Sequence, residues 1–238
     1  MTTRRITAAC LAMAAIGTGA ILHAQADQVA ALKQSLQQGL AKARQYEWIE
    51  TTVISLKGEE KARTQKRCFY GPDGKVQKVS LDQPAKPAEP SRGGGRGGRG
   101  RVKEHVVEKK KDEMKDYMER AAALIHQYVP PTPERIQAAK DAGRITVTPQ
   151  AGGPVHLVIA QYLQPGDSLA LDLDPAAGGL RALNVHTWLD KPEDVVTLAV
   201  QMNTLPDGAL YAAQTTLDAK AKNITVVIQN SGHRPVAK

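Results

Sequence analysis

The chain has 238 residues, enough for one domain or a small pair with a real hydrophobic core. Aromatic residues make up only 4%, with a single Phe, so the core is expected to be mostly Val, Leu, Ile and Ala, and the numbers argue against a catalytic groove or sugar platform rich in Trp and Tyr. A net charge of +8 favours anionic partners such as lipid headgroups or surface polymers without singling one out.

The N-terminus reads as a secretory signal over residues 1–26. Arg4 and Arg5 form a positive start, Ile6 to Leu22 is apolar, small and uncharged, and Ala24-Gln25-Ala26 offers the small-x-small pattern of a cleavage site. The expected mature chain begins at Asp27 and works in the periplasm or outside the cell. Arg4-Arg5 lacks the flanking residues of a twin-arginine signal. Cys10 sits inside the apolar stretch rather than at its end, where a lipidated cysteine belongs. Cleavage removes both arginines and no acids, leaving about +6 of the original +8. It also leaves Cys68 as the one cysteine, so no intramolecular disulfide can form and a buried, inert thiol is expected.

Residues 27–44 predict an amphipathic helix, with Val29, Leu32, Leu36 and Leu40 at three- and four-residue spacing on the face that packs. From residue 45 the period changes to two. Tyr46, Trp48, Thr52, Ile54 and Leu56 alternate with Glu47, Thr51 and Ser55, a half-buried strand. Lys57-Gly58-Glu59 turns the chain into a second strand over 60–70. Gly71-Pro72-Asp73-Gly74 turns it again, because Pro pre-sets φ and Gly accepts positive φ, into a third strand over 75–81. These three make an antiparallel meander.

Residues 82–101 break the pattern. Pro84, Pro87 and Pro90 lead into a run of Arg and Gly from Arg92 to Arg101 with nothing to bury, and it reads as a disordered excursion from the sheet. Residues 102–128 return to helix. Val107, Met114, Ala121 and Tyr128 recur seven apart, Tyr117 and Leu124 fill the same face, and Glu and Lys cover the other. Val129-Pro130-Pro131 ends it. Thr132-Pro133 then starts a short helix to Ala142, capped by Gly143.

The last third reads as six or seven strands. Val155, Leu157 and Ile159 begin the series. Leu169, Leu171 and Leu173 follow the Pro165-Gly166-Asp167 turn, and Leu183, Val185 and Leu189 come next. Val196, Leu198, Val200 and Met202 are in phase after Lys191-Pro192, and strands near 209–218 and 223–229 close the run. The expected fold is therefore α+β: a curved antiparallel β-sheet or unclosed β-barrel with about three helices over its concave face.

This order of elements resembles the lipoprotein-carrier (LolA/LolB-like) superfamily. The resemblance rests on the N-terminal helix, the Tyr46-to-Leu81 meander with its Gly58 and Pro72-Asp73-Gly74 turns, the central helices and the C-terminal meander, across most of residues 27–231. It carries no diagnostic motif, and the Arg-Gly insertion departs from the family's usual pattern. What it implies is a single domain from 27 to 238 with a hydrophobic cavity for acyl chains or another apolar ligand. The side chains expected there are Trp48, Tyr117, Leu124, Trp188 and Met202.

No catalytic or metal motif competes with that expectation. His105, His126, His156, His186 and His233 stand singly, without ligand spacing. Asp172 and Asp174, beside Asp167, have no calcium loop around them and read as solvated turn edges. His186 and Trp188 share an ordinary strand face. There is no G-x-S-x-G and no phosphate-binding loop, and the carboxylates of residues 112–119 are interleaved with lysines as a solvated helix face. The expectation is thus an exported, non-enzymatic binding protein without cofactor, whose partners are a lipid or lipoprotein acyl chains. The alternative is an envelope interaction protein that meets an anionic surface through Arg92, Arg96, Arg99 and Arg101. Export and the lack of interleaved aromatics argue against nucleic acid.

Overall fold

A computed structural model of the chain describes residues 34, 37–81, 99–151, 153–174 and 179–236. Helical residues 37–43 (α1) lead into strands β1 (Tyr46–Leu56), β2 (Glu59–Tyr70) and β3 (Val76–Ser80). Helices α2 (Arg99–Ile125) and α3 (Pro133–Asp141) follow. Then come β4 (Ile145–Pro149), β5 (Val155–Ala160), β6 (Ser168–Asp174), β7 (Gly179–Trp188), β8 (Val195–Thr204), β9 (Leu210–Ala219) and β10 (Ile224–Pro235).

The strands form one ten-stranded antiparallel sheet in the order β3-β2-β1-β10-β9-β8-β7-β6-β5-β4. Two meanders, β1–β3 and β4–β10, are joined where the first and last strands pair, Glu50 opposite Asn230 and Leu56 opposite Ile224. The sheet does not close: β3 and β4 are its edges, and the helices belong to the connection between them. Tight turns set the registers. At the β1–β2 hairpin Lys57 and Gly58 both take positive φ (55° and 81°), the twist that matches two right-handed strands.

The period-two pattern decides what is buried. Directly paired residues of an antiparallel ladder share a face. One such row runs Ile159, Leu169, Val185, Leu198, Leu217 and Val226. Onto that face α2 lays Tyr117, Ala121 and Ile125, spaced by four, and Tyr128 follows just beyond the helix end. Each Val, Leu or Ile fully removed from water here contributes roughly 1.5–3 kcal/mol.

The expected fold class holds, with four local differences. Helix α2 begins at Arg99 rather than at 102, so Arg99 and Arg101 belong to its first turn. The Ile-Thr-Val-Thr run at 145–148 is an edge strand, β4, that the pattern reading passed over. In α1 the buried side is Gly39, not Leu40, which is 52% exposed; a Cβ at Gly39 would come within 2.9 Å of the Leu210 Cβ, so that helix approaches the sheet through its smallest residue. Val29, Leu32 and Leu36 lie outside the described residues. Finally, Asp167 and Asp174 are buried rather than solvated.

Candidate functional site

Two buried carboxylates fasten α2 to the sheet. The Tyr117 hydroxyl donates to Asp194 Oδ1 at 2.5 Å, and the Tyr128 hydroxyl to Asp167 Oδ2 at 2.5 Å. Asp167 Oδ2 also accepts the backbone N–H groups of Leu163 and Gln164. Thr187 Oγ1, 2.7 Å from the Tyr128 oxygen, in turn accepts from Gln164 Nε2. Burial first, and then the carboxylate each one faces, pushes both tyrosine hydroxyls well above their usual range. Asp174, the other buried acid of this region, pairs with Arg181 at 2.6 Å. The acids therefore hold the helix-covered half of the sheet together.

Beyond that half, the same face continues across β10, β1, β2 and β3 with another character. On β1, Leu56 packs at the edge of the core, and Ile54, Thr52, Glu50 and Trp48 follow on the same side. Trp48 pairs with Cys68, and Tyr70, two residues on, pairs with Val76. Ile54 is 40% exposed and Val76 is 39% exposed. From Ile54 to Trp48 the strip runs about 20 Å, at about 3.3 Å per residue.

At its far end polar groups and rings converge. Glu50 is buried, and both of its oxygens accept from Lys78 Nζ, at 2.8 and 2.7 Å. Cys68 is fully buried beside them; burial and then the Glu50 carboxylate push its thiol up, so it stays protonated. The Trp48 ring lies 5.6 Å from Tyr70 and 6.1 Å from His233, the latter nearly parallel, and His233 lies 4.0 Å from Tyr211. A bulge brings His233 there: between the pairs Glu47–Arg234 and Ile49–Ser231, Gly232 and His233 both oppose Trp48, and Gly232 takes the positive φ such a bulge needs. Burial lowers the His233 pKa and favours the neutral ring. Two buried atoms at this end have no hydrogen-bond partner, Trp48 Nε1 and Asn230 Oδ1.

The residues expected to line a cavity are separated. Tyr117 lines a cleft of about 560 Å³ with Arg120, Asp190, Asp194 and Lys222, a charged opening between α2 and the β7–β8 turn. Met202 lines a second, of about 410 Å³, with Leu180 and Arg181. Trp48 borders a third, of about 130 Å³, with Glu47, Arg67 and Arg234. Leu124 packs against the core. Trp188 follows the buried Thr187 and so turns to the opposite face, where Nε1 donates to the Pro165 carbonyl at 3.1 Å. None of these three clefts takes in two of the five. Arg92 and Arg96 lie outside the described residues.

Sequence reading passed over Glu50, Lys78 and Asn230, and set His233 aside as a lone histidine. Glu50 did carry a signal, a carboxylate on the same strand phase as Trp48, Ile54 and Leu56. Among the described residues no group of three or more His, Cys, Asp or Glu could hold a metal ion.

No family model matches the chain, and no curated protein does. Among solved structures it is similar to a DUF1329 family protein from Desulfovibrio piger, at 11% identity and a TM-score of 0.38, over 90% of this chain and 93% of that one.

Proposed function

We propose that this is an exported, non-enzymatic binding protein that takes an apolar or amphiphilic ligand onto the strip running from Ile54 to Trp48. One observation carries the reading: the half of the sheet face under α2 holds the buried core, while Ile54 and Val76 stay exposed on the other half. Apolar side chains left facing water cost free energy, and an apolar ligand laid along the strip recovers it. Export follows from residues 1–26, and the carrier-like resemblance of the element order points to the same class of ligand.

The test uses the chain from Asp27 onward. A fluorescent fatty acid is expected to bind saturably, and Ile54→Glu to weaken it about tenfold with little change in melting temperature, since Ile54 is already 40% exposed. Binding that never saturates, or that Ile54→Glu leaves unchanged, refutes the reading.

A further inference from the structure

We infer that the Trp48 end of the strip is a head-group subsite for an uncharged group that both donates and accepts a hydrogen bond, such as a carboxamide or a hydroxyl. This deepens the proposed function and rests on it.

The chemistry follows from the two unpartnered atoms. Trp48 Nε1 carries a hydrogen and can only donate; Asn230 Oδ1 can only accept; both are buried and without a partner. The orientation of the Asn230 amide is settled by its other end, since Nδ2 donates to the Ala212 carbonyl at 2.8 Å, and a flip would set two oxygens against each other. The two side chains share a region. Glu50 pairs directly with Asn230 across β1–β10, and Trp48 lies two residues from Glu50 on the same face of β1.

A fold can avoid such orphans by placing apolar side chains at both positions, because an unmet buried donor or acceptor is costly. Here one donor and one acceptor are kept on one sheet face, the donor beside the rings of Tyr70 and His233 and the acceptor opposite Glu50, two residues along β1.

Charge then narrows the ligand class. The Glu50 carboxylate is already matched by Lys78 through both oxygens, and burial favours the uncharged His233 ring. An incoming carboxylate could accept from Trp48, but it has nothing to give Asn230 Oδ1 and would stand near Glu50. An ammonium could satisfy Asn230 and would leave Trp48 unmet. A neutral carboxamide or hydroxyl meets both, and a site built to hydrogen-bond such a group rejects the analogue that lacks it.

The chain has two tryptophans, so its two indole N–H signals in a nitrogen–proton correlation spectrum report this directly. Trp188 is the internal control, because its N–H is already given to Pro165. Trp48→Phe assigns the signals; Trp188→Phe does so equally well if the first variant fails to fold. Hexanamide is expected to move the Trp48 signal saturably, half-saturating at a concentration about tenfold below that of hexanoate, and to leave Trp188 still. Asn230→Leu should raise the hexanamide half-saturation concentration about tenfold. The assignment is overturned if hexanoate is equal or better, or if the Trp48 signal shows only contact with bound water and ignores hexanamide. A fluorescent fatty acid that binds while Trp48 ignores hexanamide sinks the subsite and leaves the strip. A Trp48 response without fatty-acid binding does the reverse.

Discussion

Replacing Tyr128 with Phe tests whether the tail of α2 is held by its hydroxyl or by its ring alone. The side chain is fully buried, and the ring is retained in the variant. What goes is one hydrogen bond of 2.5 Å to Asp167 Oδ2 and the 2.7 Å contact with Thr187. Asp167 Oδ2 keeps the Leu163 and Gln164 amides, and Thr187 Oγ1 keeps Gln164, so neither of the two oxygens that Tyr128 meets is orphaned. A hydrogen bond to a charged acceptor contributes about 1.5–3 kcal/mol. The expected loss at neutral pH is therefore roughly 2 kcal/mol, or about 4–8 °C in melting temperature for a chain of this size. A second readout follows from the raised pKa. Below about pH 10 the tyrosine is protonated in both the folded and the unfolded chain, and its contribution is complete. Above that, the unfolded chain loses the proton while the folded one holds it, so stability falls as pH rises, by about 1.4 kcal/mol per unit for such a group. Urea unfolding followed by circular dichroism, at neutral pH and in steps from about pH 9 upward, gives both numbers. Tyr128→Phe should fall off less steeply than the parent by about 1.4 kcal/mol per pH unit. A neutral-pH loss below about 0.5 kcal/mol, or an unchanged alkaline slope, refutes the anchoring role.

Gly39→Ala adds a Cβ 2.9 Å from the Leu210 Cβ, which neither backbone can yield to cheaply; it should cost about 1–3 kcal/mol in urea unfolding, although alanine is the better helix former. Lys78→Met leaves the Glu50 carboxylate buried without its partner, so a loss of about 1–3 kcal/mol is expected, and adding Glu50→Gln should recover part of it; a double variant no better than the single contradicts the pairing. His233 is a base whose folded pKa lies below its unfolded one, so its contribution is complete above about pH 6.5 and lost as pH falls below that value; its ring proton resonances should titrate below the ordinary histidine value of about 6.5.

Most of the architecture could be read from local rules. Alternation of aliphatic and polar side chains places the strands, because a half-buried sheet face has a period of two. Pro and Gly at Gly58, Pro72-Asp73-Gly74 and Pro165-Gly166 mark where the chain turns, because few other residues take those backbone angles. The seven-residue spacing of Met114, Ala121 and Tyr128 names the face of α2 that is buried. The same rules do not reach across the chain. Alternation says that His186 and Trp188 share a face, but not that this face turns away from the helices. It does not say that an aspartate after Pro-Gly receives the hydroxyl of a tyrosine 39 residues earlier, just past the end of α2. Only the pairing of β1 with β10 brings Trp48 and Glu50 next to Asn230 and His233. Local patterning determines which residues leave water; which distant polar groups then meet, and which are left without a partner, is decided when the first strand pairs with the last.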